Sequence, residues 1–90
     1  MLGDKPVKSI GTSGYDILIA LVKEYRLEAR VTQRELCDKL EQDAAYISKV
    51  ERGVRRLDLI EFCDIVTALG QDPKEAFSVF LARRDDLNVS

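Results

Sequence analysis

The side chains of this 90-residue chain that could perform chemistry are two thiols, 16 carboxylates and 14 cationic groups, and there is no histidine. Histidine is the commonest general base, so its absence removes the usual partner of a serine or cysteine nucleophile. Cys37 and Cys63 alone cannot complete a four-ligand zinc site. The glycines form no phosphate-cradling loop motif. We therefore expect no enzyme activity, no cofactor and no metal site.

The cationic groups remain as candidates, and they are unevenly distributed. Residues 23–56 contain nine basic and seven acidic residues, a net charge of +2, whereas residues 57–90 contain three basic and seven acidic residues, a net charge of −4. The whole chain carries −2, which argues against coating nucleic acid or membrane by bulk charge. The distribution instead predicts one surface for an anion and a different surface for another contact.

Helix-start signals and hydrophobic spacing predict the elements that position these cations. Thr32 and Glu35 have the spacing of a capping box, and Asp58 and Asp72 are acids at N-cap positions before apolar runs. Apolar residues recur at intervals of three and four, and no strand-like alternation of useful length occurs. We therefore predict an all-α fold, a compact five-helix bundle, with helices over residues 14–28, 33–40, 44–52, 59–69 and 73–83.

The second and third predicted helices are joined by about three residues, a joint so short that one helix must cross the other as in a helix-turn-helix. The stretches 31–40, 46–53 and 59–70, with Ser-Lys-Val-Glu-Arg-Gly at 48–53 and Arg-Arg-Leu-Asp at 55–58, resemble the XRE (Cro and phage-repressor type) helix-turn-helix family. The resemblance covers about residues 15–73. It implies a lambda repressor-like DNA-binding domain.

The resemblance also implies which residues contact DNA. The start of the third helix and Lys49 would face base edges, while Lys23 and the loop arginines would face the backbone. Independently, the first turn of the second helix, with Gln33, has the unpaired N–H groups and the dipole that attract a phosphate. Arginine side chains bind phosphate well. The predicted DNA-binding residues are Lys23, Thr32, Gln33, Arg34, Ala44, Ala45, Tyr46, Ser48, Lys49, Arg52, Arg55 and Arg56.

Several of these residues have a second interpretation. Arg26 and Arg34 are either solvated surface or phosphate ligands, since exposed charges contribute little to stability. Tyr46 either stacks on a sugar or covers the corner between the second and third helices. Glu51 is predicted to be structural, pairing with an arginine or capping the next loop. Arg55 with Arg56 is the pair most strongly indicated as functional.

The sequence departs from the family pattern at two turns and at the start of the third helix. Arg30 and Glu41 stand where the family usually has glycine, so a left-handed backbone there costs on the order of 1 kcal/mol per residue. Ala44 and Ala45 replace the frequent Gln-Ser pair. Alanine offers only a methyl contact to thymine, so direct base readout is expected to be thin. Specificity would then rest on other side chains of the third helix and on DNA shape.

We interpret the chain as a small prokaryotic or phage transcriptional regulator, a repressor that binds double-stranded DNA as a homodimer on a two-fold operator. Residues 1–13 are predicted to be a flexible arm, 14–72 the helix-turn-helix DNA-binding domain, and 73–90 a C-terminal helix and tail used for dimerisation. Phe80, Leu81 and Arg84 are the predicted dimer contacts. The alternative is a protein-interaction module, antitoxin-like or a co-regulator, with weak or no base readout. A continuous positive surface along the third helix and the following loop would favour DNA.

The length of the apolar segments indicates where in the cell the protein is expected. The start of the chain has no apolar segment of signal-peptide length, and Ile17–Val22, the longest apolar run, is far too short to span a membrane. We expect a cytoplasmic protein with no membrane contact, nucleoid-associated when bound to DNA. In that compartment Cys37 and Cys63 should be reduced, and their helix faces predict burial.

Overall fold

A computed structural model describes residues 14–89 of the protein, and the side chains of residues 14–86. Within that part the chain folds into five helices and no strand, which confirms the predicted all-α class. The predicted flexible arm lies outside the described residues. The helices are α1 (Gly14–Glu28), α2 (Gln33–Lys39), α3 (Tyr46–Glu51), α4 (Leu59–Ala68) and α5 (Pro73–Val89).

Side-chain caps define where α2 and α4 begin. The Glu35 N–H donates to Thr32 Oγ1 at 3.0 Å, and the Thr32 N–H donates to Glu35 Oε1 at 2.8 Å. At α4 the Glu61 N–H donates to Asp58 Oδ1 at 2.7 Å, and the Asp58 N–H donates to Glu61 Oε1 at 3.0 Å. Each box satisfies two backbone N–H groups that a helix start would otherwise leave unpaired. Both predicted starts are confirmed.

Two helix boundaries differ from the predicted ones. α3 begins at Tyr46 rather than at residue 44, because Asp43 Oδ1 accepts from the Ala45 N–H at 2.9 Å and holds residues 44 and 45 in a turn. This local side-chain bond competes with the helix. α5 continues to Val89 rather than ending at 83, since residues 82–89 contain no glycine or proline to stop it.

The two non-glycine turn residues adopt the left-handed conformation. Arg30 has φ 59° and Glu41 has φ 57°. These are the turns after α1 and α2, so the sharp corners of the family pattern are kept without glycine, at a cost on the order of 1 kcal/mol each.

The core is built where α1, α2, α3 and α4 meet. α3 packs on α1 and α2, and α5 packs on α1 and α4. This arrangement buries one side of α3 through Ile47 and Val50, both fully buried, and leaves the other side of α3 facing outward. The principal core residues are Val22, Leu36, Cys37, Tyr46, Ile47, Val50, Phe62, Ile65, Val66, Leu69 and Ala76.

The two cysteines differ in environment. Cys37 is fully buried, as predicted, and its sulfur accepts from the Ile47 N–H at 3.5 Å. The prediction of burial is wrong for Cys63, which is partly exposed in a shallow groove beside Lys39 and Thr67. On α4 the buried stripe follows Phe62, Ile65 and Val66. Cys63 lies at the edge of that stripe, where helical spacing alone does not decide burial.

We expect the two thiols to alkylate at separate rates in the folded protein. Cys63 should react with iodoacetamide in the native state, whereas Cys37 should react only as the domain unfolds, because no solvent reaches its sulfur. Mass spectrometry of peptides sampled over time, with and without denaturant, measures both rates. Equal rates under native conditions would contradict the burial of Cys37.

Candidate nucleic-acid interface

The charged side chains that the segment from Ala44 to Arg56 exposes are cationic. The segment contains four basic residues, Lys49, Arg52, Arg55 and Arg56, and one acid, Glu51. Glu51 is not at the surface, because its side chain is only 4% exposed and pairs with Arg26, which is 9% exposed. The acid that could have repelled a phosphate here is therefore neutralised inside the fold.

Glu51 is the centre of a buried polar network that joins three helices. Arg26 Nε donates to Glu51 Oε2 at 2.6 Å and Arg26 Nη2 donates to Oε1 at 3.1 Å. Arg26 Nη1 donates to the Val31 carbonyl at 2.9 Å, and Gln33 Nε2 donates to Glu51 Oε1 at 2.9 Å. The structural role predicted for Glu51 is confirmed. Arg26 is neither solvated nor free to bind phosphate. Both interpretations given to it from the sequence are therefore wrong.

The start of α2 is occupied by its own capping groups. The Thr32 hydroxyl accepts from the Glu35 N–H, and hydrogen bonds from Thr32 hold the pKa of the Glu35 carboxyl below its usual range. That carboxylate is therefore ionised at neutral pH, at the helix end that was predicted to attract phosphate. Arg34 is exposed, with its Nε 3.9 Å from Asp38 Oδ1.

The outward side of α3 carries short polar and cationic side chains. Lys49 and Arg52 are exposed, and Ser48 is half-buried. Ser48 Oγ donates to the Ala45 carbonyl at 3.3 Å and accepts from Arg52 Nη1 at 3.5 Å. Ala44 is exposed in the preceding turn. Lys49 is thus a long side chain of this face that forms no hydrogen bond or ion pair with another described residue.

Tyr46 is not part of that outward face. Only 5% of the residue is exposed, and burial raises the pKa of its hydroxyl, so the group stays neutral. The Arg55 guanidinium lies over its ring, 4.8 Å from the centroid. Of the two interpretations of Tyr46, the geometry favours covering of the helix corner over stacking on a sugar.

The two loop arginines have different surroundings. Arg55 donates through Nη1 and Nη2 to the two Glu61 oxygens, at 3.0 and 2.7 Å, and through Nη1 to the Arg56 carbonyl at 2.8 Å. These hydrogen bonds lower the pKa of Glu61 and raise that of Arg55, so both stay charged. Arg56 is exposed, with its guanidinium 4.1 Å from the centroid of the Tyr15 ring.

Other kinds of site find little support in the described part of the chain. Residues 14–86 contain no group of three or more His, Cys, Asp or Glu residues arranged to hold a metal ion. No helix within 14–89 is both long enough and apolar enough to cross a membrane. Lys23, on the outside of α1, completes the set of exposed cations predicted from the sequence.

A family model described as helix-turn-helix matches residues 22–75, which contain α2, α3, α4 and the arginine loop. The chain belongs to the XRE-type helix-turn-helix family. A solved XRE-family-like protein from Pseudomonas syringae pv. tomato str. DC3000 is 39% identical, with a TM-score of 0.74, over 77% of this chain and 84% of that chain. The wild-type restriction-modification controller protein C.Esp1396I is 26% identical, with a TM-score of 0.71, over 84% of this chain and 96% of that one. No curated protein gave a significant match.

In this XRE-type domain, α2 and α3 are the helix-turn-helix and α3 is its outward-facing second helix. The family membership, the all-α fold and the DNA-binding class of the domain agree with the sequence analysis. The family is a class of DNA-binding regulator domains rather than of enzymes.

Proposed function

We propose that this XRE-type protein is a sequence-specific transcriptional repressor that binds a two-fold DNA operator as a homodimer. The observation that carries the proposal is the cationic surface of residues 44–56, whose one acid is paired with Arg26 in the interior. Such a local surface attracts the DNA backbone although the chain as a whole carries −2. The similarity to a named controller protein supports a regulatory role.

The contacts divide into two classes. The residues that face the base edges in the major groove are Ala44, Ala45, Ser48, Lys49 and Arg52. Lys49 supplies a long donor that reaches a guanine. Exposed cations outside α3 bind phosphates and set the orientation without reading sequence. These cations are Lys23, Arg34 and Arg56. The predicted Thr32 and Gln33 side chains are not among these contacts, because they bond to Glu35 and Glu51.

The dimer contact is proposed on the apolar patch formed by Leu59, Phe77 and Phe80, which line one cleft. Leu59 is 64% and Phe77 44% exposed, and the Phe77 and Phe80 rings stack with centroids 6.0 Å apart. A cleft of about 190 Å³ separates these rings from α4. Exposed apolar side chains grouped in this way mark a protein contact. The predicted Phe80 remains in this set.

The other two predicted dimer residues are less well placed. Leu81 is half-buried, and Arg84 is already 3.7 Å from Asp85 of the same helix. We therefore propose Leu81 and Arg84 at the rim of the interface rather than at its centre. The protein-interaction alternative is supported by the same apolar patch, which a different chain would then cover.

The test of the function is the salt dependence of DNA binding. We expect micromolar or tighter binding to duplex DNA, with log K falling against log salt by about 0.9 for each phosphate neutralised. Fluorescence anisotropy with labelled duplexes between low and physiological salt measures this slope. Selection of bound fragments from random DNA then gives the operator. Absence of salt-dependent binding would leave the protein-interaction alternative.

Lys49→Ala is expected to flatten sequence preference. The exposed Lys49 has a long donor side chain on the proposed base-reading face, and loss of a good base contact costs about 1–3 kcal/mol at the base pair it reads. Affinities for the selected operator and for its single-base variants measure the change, with Arg34→Ala as the control for a surface cation on α2. If Lys49→Ala weakened all duplexes equally, Lys49 would be a phosphate contact instead.

A further inference from the structure

Three contacts from one side chain of α1 converge on the loop between α3 and α4. The Tyr15 hydroxyl donates to the Arg55 carbonyl at 3.2 Å and accepts from the Leu57 N–H at 2.9 Å. These two backbone groups flank Arg56. The Tyr15 ring also lies 4.1 Å below the Arg56 guanidinium. One tyrosine therefore holds both the backbone on either side of Arg56 and its charged group.

This arrangement prepares Arg56 for an anion. A guanidinium stacked on an aromatic face keeps its edge N–H donors and its outer face available, and an arginine that is already held loses less conformational entropy on binding. Arg56 is exposed, and among the described residues no carboxylate forms an ion pair with it. Its charge is therefore not compensated in the free protein by any of these residues.

Arg55, in contrast, is already paired with a carboxylate. Glu61 takes donors from both of its terminal nitrogens, the Arg56 carbonyl takes a further hydrogen bond, and the Tyr46 ring covers one face. A phosphate that recruited Arg55 would have to displace a bidentate carboxylate. The two adjacent arginines look equivalent in the sequence, but Arg55 is engaged within the fold and Arg56 is available to a ligand.

We propose that Arg56 is the phosphate-binding residue of this loop, that Tyr15 is the positioning residue that holds it there, and that Arg55 maintains the loop. The inference rests on the proposed DNA-binding function and specifies which side chains carry it. Phosphate contacts are independent of sequence, so any duplex serves as the probe.

A double-mutant cycle tests the positioning role. Wild type, Tyr15→Leu, Arg56→Ala and the double variant are titrated against a fluorescein-labelled duplex of about three helical turns at several salt concentrations. We expect Arg56→Ala to reduce the log–log salt slope by about 0.9. Tyr15→Leu should weaken binding about 2- to 10-fold, the ordering cost of one long side chain. In the Arg56→Ala background, Tyr15→Leu should have no further effect.

Two further variants separate positioning from loss of fold. Tyr15→Phe keeps the ring and removes both hydrogen bonds, so it should fall between wild type and Tyr15→Leu. Tyr25→Leu is the matched control, since Tyr25 is a half-buried tyrosine of the same helix, and it should leave both the affinity and the salt slope unchanged. Circular dichroism confirms that each variant is folded.

The results that would overturn the inference are distinct from failure of the proposed function. The positioning role fails if Tyr15→Leu weakens binding equally in both backgrounds, or if Tyr25→Leu has the same effect. The assignment of Arg56 fails if Arg55→Ala, and not Arg56→Ala, lowers the salt slope of a protein that binds DNA. If the wild-type protein binds no duplex at any salt concentration, the proposed function and this inference fall together.

Discussion

Replacing Glu51 by alanine is expected to lower the free energy of unfolding by about 3–5 kcal/mol, because it leaves the Arg26 charge buried without its partner. The Gln33 amide also loses its acceptor on Glu51. Total stabilities of small domains are about 5–15 kcal/mol, so the loss is a large fraction of the stability of the fold. Urea unfolding followed by circular dichroism measures the change.

The chain offers a matched control on its surface. Arg83 and Glu24 also form a bidentate ion pair, with N–O distances of 2.9 and 3.1 Å, and their side chains are 41% and 46% exposed. Glu24→Ala should cost at most about 1 kcal/mol, since water solvates the remaining arginine. A loss for Glu51→Ala no larger than for Glu24→Ala would contradict the argument from burial.

A double replacement separates the pair's net contribution from the cost of breaking it. Substituting apolar residues of similar volume for both partners, Arg26→Met with Glu51→Leu, should recover most of the loss, because neither buried charge remains. The double variant would nevertheless lose the acceptor that fixes Gln33. The network thus contributes orientation at the start of α2, beside the proposed DNA-binding face, as well as stability.

Local signals in the sequence predicted most of the fold. The caps at Thr32 and Asp58 depend on residues three positions apart, and the family pattern marked Arg30 and Glu41 as turn residues without fixing their conformation. These features are local, so a linear pattern is sufficient to find them. The start of α3 was missed because Asp43 bonds to the Ala45 N–H instead of opening a helix.

The candidate site was predicted by residue type but not by partner. Glu51 was expected to be structural, yet its partner Arg26 lies 25 residues away. Arg55 and Arg56 look alike in the sequence, and only tertiary contacts with Glu61 and Tyr15 distinguish them. Tyr15 itself carried no signal, because its contacts with the loop span 40 and 42 residues. Long-range pairing is the information that composition and periodicity lack.

Substituting glutamine for both Leu59 and Phe77 is expected to convert the proposed dimer to a monomer and to weaken operator binding about 100-fold or more. Two half-sites one helical turn apart are bound together only if two copies are linked, and the second contact then acts at a high effective concentration. Glutamine is neutral and compatible with a helix, so neither net charge nor helix propensity changes much. Sedimentation at micromolar concentration and titration of the selected operator measure the two effects.

Leu27→Gln provides the control, since Leu27 is an exposed leucine of α1 outside the patch, 56% accessible. Substitution is a cleaner test than truncation after Ala76, because shortening α5 would also remove Arg83 and its pairing with Glu24 on α1. The half-site affinity of the double variant should stay close to that of wild type, because the α3 face is untouched. If the variant sediments like wild type, or if wild type is already monomeric at high concentration, the patch does not join two copies. A monomer that bound a two-fold operator with unchanged affinity would instead leave the apolar patch for a different protein chain.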